Sequence, residues 1–360
     1  MKIGIIGSRG IPNHHGGFEQ FAEYFSVFLA QQNIDVTVYN SSLHPYKKKT
    51  YKNVKIVTCD DPEDRLGAAG QFIYDLKCIL DSRQRNFDII LQLGYTSNSI
   101  WYKLLPKASI IVTNMDGLEW KRTKYKAITK RFLKYAEKLA ALHSDYLISD
   151  SEGIKQYLID TYQKSSKFIA YGAHVFENPD LEVLSKYNLK ANEYNIVIAR
   201  IEPENNIDTI LDGVKDDTYK TIVIGDVAKT KLGRALSETY KNHKNIKFLG
   251  AIYNTNVLNN LRHFSRIYFH GHSVGGTNPS LLEAMACSCM IVANNNPFNK
   301  SILQQNALYF SSAHEIKTHI QDFNKTDWKD AIHKNVQKIK SIYSWEIINT
   351  SYINFFKDIL

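Results

Sequence analysis

Short apolar runs alternate along the chain with stretches whose apolar positions fall three or four residues apart. Residues 2–7, 36–39, 54–57, 88–93, 110–112, 146–149 and 167–172 are runs of the first kind, and each predicts a core strand. Phe18, Phe21, Ala22, Phe25 and Leu29 recur at helical spacing and predict a helix after the first strand. Residues 121–143 predict a second helix, basic and amphipathic. Its Ile128, Phe132, Tyr135, Ala136, Leu139 and Leu142 can share one face, with Lys124, Lys126, Lys130, Arg131, Lys134 and Lys138 around the rest. Residues 173–193 are polar, carry Pro179 and read as a linker. The alternation then restarts. Runs at 195–200, 221–225, 246–250, 267–269 and 290–293 predict strands, and helices run through Ile207, Ile210 and Leu211 and from about Pro279 to Ala286. Residues 345–360 read as a last helix. Strand and helix in turn, twice over, predict two α/β domains built on parallel sheets.

Glycine loops interrupt this pattern at two places. Residues 8–17 join the first strand to the first helix and contain Gly10, Gly16 and Gly17. They do not spell G-x-G-x-x-G, which argues against a dinucleotide. Glu19, at the helix start, is either an acid favoured by the helix dipole or a ligand for a sugar hydroxyl. In the second loop Gly271, Gly275 and Gly276 precede Thr277, Asn278 and Ser280, which can cap the helix starting near Pro279. Unpaired N–H groups at a helix start suit phosphate, and Glu283 one turn further suits a ribose hydroxyl. Phosphate beside ribose describes a nucleotide. An ordinary turn followed by a dipole-favoured acid fits the spacing as well. Asp116 ends the strand at 110–112, where doubly wound sheets gather ligand groups, or else it caps the following helix. His14 and His15 flank the first loop, and His270 and His272 the second.

Composition narrows the classes. The chain has 360 residues, 44% hydrophobic and 22% charged, enough for two domains of ordinary size. No apolar run is long enough to span a bilayer, and the N-terminus does not read as a secretory signal. The four cysteines lack zinc-site spacing and read as reduced thiols of a cytoplasmic protein. A formal net charge of +9 suits an anionic membrane or a phosphorylated substrate, and no recognised nucleic-acid motif accompanies it. The acidic residues Asp60, Asp61, Glu63 and Asp64 read as a solvated loop, so no metal site is expected.

Four stretches in order, S-R-G-I-P, M-D-G-L-E-W-K-R, R-I-E-P-E-N-N and G-G-T-N-P-S-L-L-E-A-M, resemble glycosyltransferase family 4 over nearly the whole chain. They are most similar to its bacterial β-1,4-rhamnosyltransferase branch. The resemblance implies a GT-B fold: two Rossmann-like domains with a cleft between them. Residues 1–172 would form the acceptor domain and 190–344 the nucleotide-sugar domain, with the helix at 345–360 packing back on the first. It implies a retaining enzyme that moves L-rhamnose from dTDP-L-rhamnose to a polyprenyl-diphosphate-linked saccharide. No cofactor or metal is expected, and no nucleic-acid partner. The setting would be cytoplasmic, peripherally on an anionic membrane face. A UDP- or GDP-sugar donor, or a non-catalytic nucleotide-sugar-binding protein, are the alternatives.

By position, Asp116, Arg200 and Glu283 are the candidate catalytic residues, Arg200 neutralising the leaving diphosphate. Gly16, Gly17, Arg200, Asn205, His272, Gly276, Thr277, Asn278, Ser280 and Glu283 would contact the donor, and His14, His15, Glu19 and Glu119 the acceptor. Two family positions differ. The first of the paired glutamates is Gly275, and the usual lysine is Asn205. Asn205 can serve as a neutral phosphate donor, with Lys229 or Lys231 supplying the second positive charge.

Overall fold

The computed structural model describes residues 1–360 apart from His15, Thr123, Lys124 and Asp322. Two compact units make up the chain. The first takes Met1–Lys121, Tyr125–Tyr171 and Trp345–Leu360, and the second takes Gly172–Ser344 together with Arg122.

In the first unit the strands are β1 (Lys2–Ile6), β2 (Asp35–Ser41), β3 (Thr50–Tyr51), β4 (Val54–Cys59), β5 (Ile89–Leu93), β6 (Ile110–Asn114), β7 (Tyr146–Ser149) and β8 (Lys167–Phe168). They form one sheet in the order β3-β4-β2-β1-β5-β6-β7-β8, with only the β3–β4 pair antiparallel. Ile3, Ile5, Val36, Val38, Ile89, Leu91 and Val112 are fully or almost fully buried, because helices cover both faces of a parallel sheet. The helix Trp345–Ile359 belongs to this unit. Its Tyr352 ring lies 4.9 Å from Phe21 and 5.0 Å from Phe25, and Phe356 is 5.9 Å from Phe25. Asn114, at the end of β6, donates to the Tyr352 hydroxyl at 3.1 Å.

Three expectations for this unit are corrected. The basic helix runs Ala127–His143 and buries Leu133, Ala136, Glu137, Leu139, Ala140 and Ala141. Ile128, Tyr135 and Leu142, assigned to its apolar face, are exposed, at 78%, 56% and 42%. The cause is Glu137, a carboxylate turned inward. It accepts from the hydroxyls of Tyr95, Tyr157 and Tyr162 and from Trp120 Nε1, so the buried stripe is rotated toward it. Lys124, expected on this helix, lies outside the described residues. The acidic cluster is not simply solvated. Asp61 is buried and accepts from Ser41 Oγ at 2.6 Å, and Glu63 takes both of its oxygens to Arg9 at 2.6 Å. Finally, the strand expected at 167–172 is only two residues long.

The second unit contains β9 (Tyr194–Ile198), β10 (Lys220–Ile224), β11 (Ile246–Gly250), β12 (Ile267–His270), β13 (Ile291–Asn294) and β14 (Leu308–Phe310), all parallel, in the order β11-β10-β9-β12-β13-β14. The order reverses between β9 and β12, which makes the loops after those two strands the place where such a sheet receives ligands. Residues 173–193 are not a free linker. Ala173 bridges to Ser344 and its N–H donates to Tyr343 O at 2.8 Å. The 3-10 helix Leu181–Tyr187 buries Val183 and Leu184.

Candidate nucleotide-sugar site

In the second unit the loops after β9 and β12 are tied together side chain to backbone. Gly271 follows β12 directly, and a Cβ there would stand 1.9 Å from Asn205 O, so only glycine allows the approach. Asn206 Nδ2 donates to Gly271 O at 2.7 Å, and Ser273 donates to Glu204 O from both its N–H and its hydroxyl at 2.9 Å. Arg200 stands exposed at the end of β9. Asn205 Nδ2 donates to Arg200 O at 2.7 Å, while its Oδ1 meets His272 Nδ1 at 2.8 Å. An amide oxygen accepts, so His272 carries its proton on Nδ1 and leaves the Nε2 lone pair as an acceptor. Burial first, and then the charges of Arg122 and Arg200, push the His272 imidazole down to about 4. His270 is buried and also neutral, pushed down to about 3 by burial and by His272. Asn296 and Asn299 each donate to His272 O at 3.0 Å and hold the loop from beneath.

The helix Pro279–Ala286 opens on the same loop. Asn278 serves as the N-cap, its Oδ1 accepting from Ser280 N at 2.9 Å. The Ser280 hydroxyl instead meets the Tyr268 hydroxyl at 2.5 Å, and Thr277 is buried. Gly276 lies in the loop beside Gly275, whose φ of +118° is a conformation that side chains rarely adopt. A glutamate at Gly275, where the resemblance would place one, is therefore strained. Glu283 is gripped by Arg262 Nη2 at 2.5 Å, a guanidinium that is 2% exposed. Neither Arg262 nor Asn299 gave any signal in the sequence, since each lies in an unremarkable helical context. Lys229 and Lys231 are both exposed.

In the first unit, Gly16 precedes and Gly17 begins the helix Gly17–Gln31. Glu19 is buried and accepts from Arg9 N at 2.8 Å, so it braces the loop after β1. His14 is exposed and lines a shallow pocket with Pro12, Asn13, His44, Pro45 and Tyr46; His15 lies outside the described residues. Asp116 has φ +50°, with its N–H donating to Asn114 Oδ1 at 3.0 Å. Glu119 N donates to the Tyr95 hydroxyl at 3.2 Å, which ties the M-D-G-L-E-W turn to the Glu137 hub. Burial, with Asp116, Asp150 and Glu19 in the surroundings, pushes the Tyr171 hydroxyl well above its ordinary range. Asp116 and Glu19 thus share one electrostatic neighbourhood, whereas Arg200, Asn205, His272 and Glu283 share the other unit. Among the described residues, no group of three or more His, Cys, Asp or Glu is arranged to hold a metal.

Residues 183–338 match the family described as Glycosyl transferases group 1, and residues 1–174 the one described as Domain of unknown function (DUF1972). No curated protein matches the chain. Among solved structures it is similar to a sucrose-phosphate synthase from Thermosynechococcus elongatus, at TM-score 0.82 and 14% identity over 99% of this chain and 98% of that one. A glycosyltransferase from Rickettsia africae is similar at TM-score 0.74 and 14% identity, over 99% and 98% of the two chains. Anabaena Alr3699/HepE, in complex with UDP and glucose, is similar at TM-score 0.75 and 15% identity, over 99% of each. The fold is GT-B, with two Rossmann-like domains.

Proposed function

We propose, from the group 1 glycosyltransferase domain at residues 183–338, that the protein is a retaining rhamnosyltransferase. It moves L-rhamnose from dTDP-L-rhamnose to a saccharide on a polyprenyl diphosphate, needs no metal, and works on the cytoplasmic membrane face. The observation that carries the reading is the loop pair after β9 and β12. An exposed guanidinium at Arg200, a neutral His272 and a capped helix start with Glu283 one turn in are the groups a nucleoside diphosphate sugar requires. Glu283 takes a ribose hydroxyl, with Arg262 fixing its direction. Arg200 offsets the charge that grows on the diphosphate as the glycosidic bond breaks. Asp116, on the first unit, contacts sugar or acceptor hydroxyls.

The rhamnosyl specificity rests on the resemblance of G-G-T-N-P-S-L-L-E-A-M and M-D-G-L-E-W-K-R to that branch. A second reading keeps the fold and takes a UDP-sugar; the support for it is the Anabaena protein, described as a complex with UDP and glucose. Membrane association is supported by the exposed row Ile128, Tyr135 and Leu142 among the lysines of the Ala127–His143 helix, and no described helix is long and apolar enough to cross a bilayer. The test is a donor screen with a lipid-diphosphate saccharide acceptor, with and without chelator. Transfer from dTDP-L-rhamnose that survives chelation is expected. Far better turnover of a UDP- or GDP-sugar would refute the donor assignment.

A further inference from the structure

We propose that the Arg122 guanidinium is the second cation of the donor diphosphate site, held there by the buried Glu204 carboxylate, in place of the lysine that this chain replaces with Asn205. The inference rests on the nucleotide-sugar reading of the second unit. A diphosphate gathers more negative charge than one guanidinium offsets, and Arg200 is a single positive charge. Asn205 brings none, and its side chain is already committed on both ends, to Arg200 O and to His272 Nδ1.

The neighbouring Glu204 supplies the independent observation. Its side chain is 2% exposed, and neither carboxylate oxygen accepts a hydrogen bond among the described residues. A buried carboxylate without donors is unfavourable unless a cation stands by. That cation is Arg122, with Nη1 at 3.8 Å from Glu204 Oε1 and a side chain only 17% exposed. Arg122 ends the M-D-G-L-E-W-K-R stretch yet belongs to the second unit. A guanidinium has five N–H donors in a planar fork, so one edge can face Glu204 while another faces a phosphate oxygen. The charge of Arg122 is also felt at His272 beside that of Arg200, which puts both guanidiniums around the same imidazole. Two guanidiniums and a neutral imidazole against one carboxylate leave the spot net positive, as a diphosphate requires.

The experiment titrates the full chain calorimetrically with dTDP and UDP, each against its own monophosphate, which separates charge recognition from base and ribose recognition. Arg122→Gln should weaken whichever diphosphate the wild type binds by about tenfold or more. The matching monophosphate should change much less, and the melting temperature should hold. Arg122→Lys should recover part of the loss, because the charge remains and the fork does not. Glu204→Gln should lower diphosphate affinity with Arg122 still present, since the anchor is lost. Three outcomes overturn the inference alone: an unchanged diphosphate affinity in Arg122→Gln, an equal loss for mono- and diphosphate, or Arg122→Lys no better than Arg122→Gln. A wild type that binds neither diphosphate overturns it together with the nucleotide-sugar reading.

Discussion

Gly275 shows how a glycine where the resemblance would place a glutamate can be built into the backbone. At φ +118° any side chain is strained, and a Cβ would approach His272 Nε2 to 3.3 Å. Gly275→Glu should cost roughly 1–3 kcal/mol. It should lower activity and not restore a second glutamate contact; higher turnover in that variant would contradict the assignment. Glu283→Ala has a double effect, because it strands the buried Arg262. It should lower the unfolding free energy by up to about 3 kcal/mol and weaken nucleotide binding as well. Glu283→Gln keeps the shape and separates the two effects, if denaturant unfolding and calorimetry are run on both. Asp75 gives a pH signature. It is buried against Ser97 Oγ at 2.5 Å, and burial pushes its carboxyl up to about 7. Its raised value means that the stability tied to protonation is full below the unfolded value of about 4 and is lost as pH rises to about 7. Asp75→Asn mimics the protonated form, so its stability margin over wild type should widen from pH 5 to 7 and flatten above. A margin independent of pH would rule this out. Arg200, Asn205 and Glu283 stand out in the sequence as candidates because they sit in motifs whose chemistry restricts residue type. Arg262, Glu204 and Glu137 do not, since a buried charge shows itself only through partners distant along the chain.

At the scale of elements, strands were the most legible and helix faces the least. The runs at β1, β5, β9 and β12 are nearly pure apolar segments, so their strands followed directly. The helix Ala68–Ser82 went unforeseen because its buried face carries Gly70, Asp75 and Ser82 between Tyr74, Cys78 and Ile79, which breaks the apolar period. The helix Ala127–His143 was found, but with its face misassigned for the same reason, a polar residue at the centre of the buried stripe. Its outer row of Ile128, Arg131, Lys134, Tyr135, Lys138 and Leu142 contains no acid. Each cation near an anionic leaflet contributes about 1 kcal/mol, and the apolar members add burial in the headgroup layer. Vesicles of anionic lipid should therefore co-sediment the protein at low salt and release much of it at high salt. Ile128→Ser with Leu142→Ser should weaken that binding with little change in melting temperature, because both side chains face outward. Equal sedimentation of this variant and wild type would show that the row stays in water. Glu137→Ala should do the opposite, destabilising the unit by leaving the Tyr157 and Tyr162 hydroxyls and the Trp120 indole N–H without their Glu137 acceptor.

For the whole molecule, alternation of strand and helix sufficed to call two α/β domains, since periodicity reports layers directly. It did not reveal that residues 173–193 are built into the second unit, because backbone hydrogen bonds, which composition does not encode, help to anchor a stretch with only a few buried apolar residues such as Val183 and Leu184. The Trp345–Ile359 helix also has an effect at this scale. It covers Phe21 and Phe25, so a chain ending at Ser344 should lose cooperative unfolding of the first unit while the second keeps its own transition, as read by calorimetry. The same helix imposes a timetable on synthesis. The ribosome delivers the rest of the first unit early, yet its last layer emerges only after the entire second unit, roughly ten to forty seconds later at ordinary elongation rates. During that interval the nascent first unit presents an uncovered aromatic patch to whatever it meets.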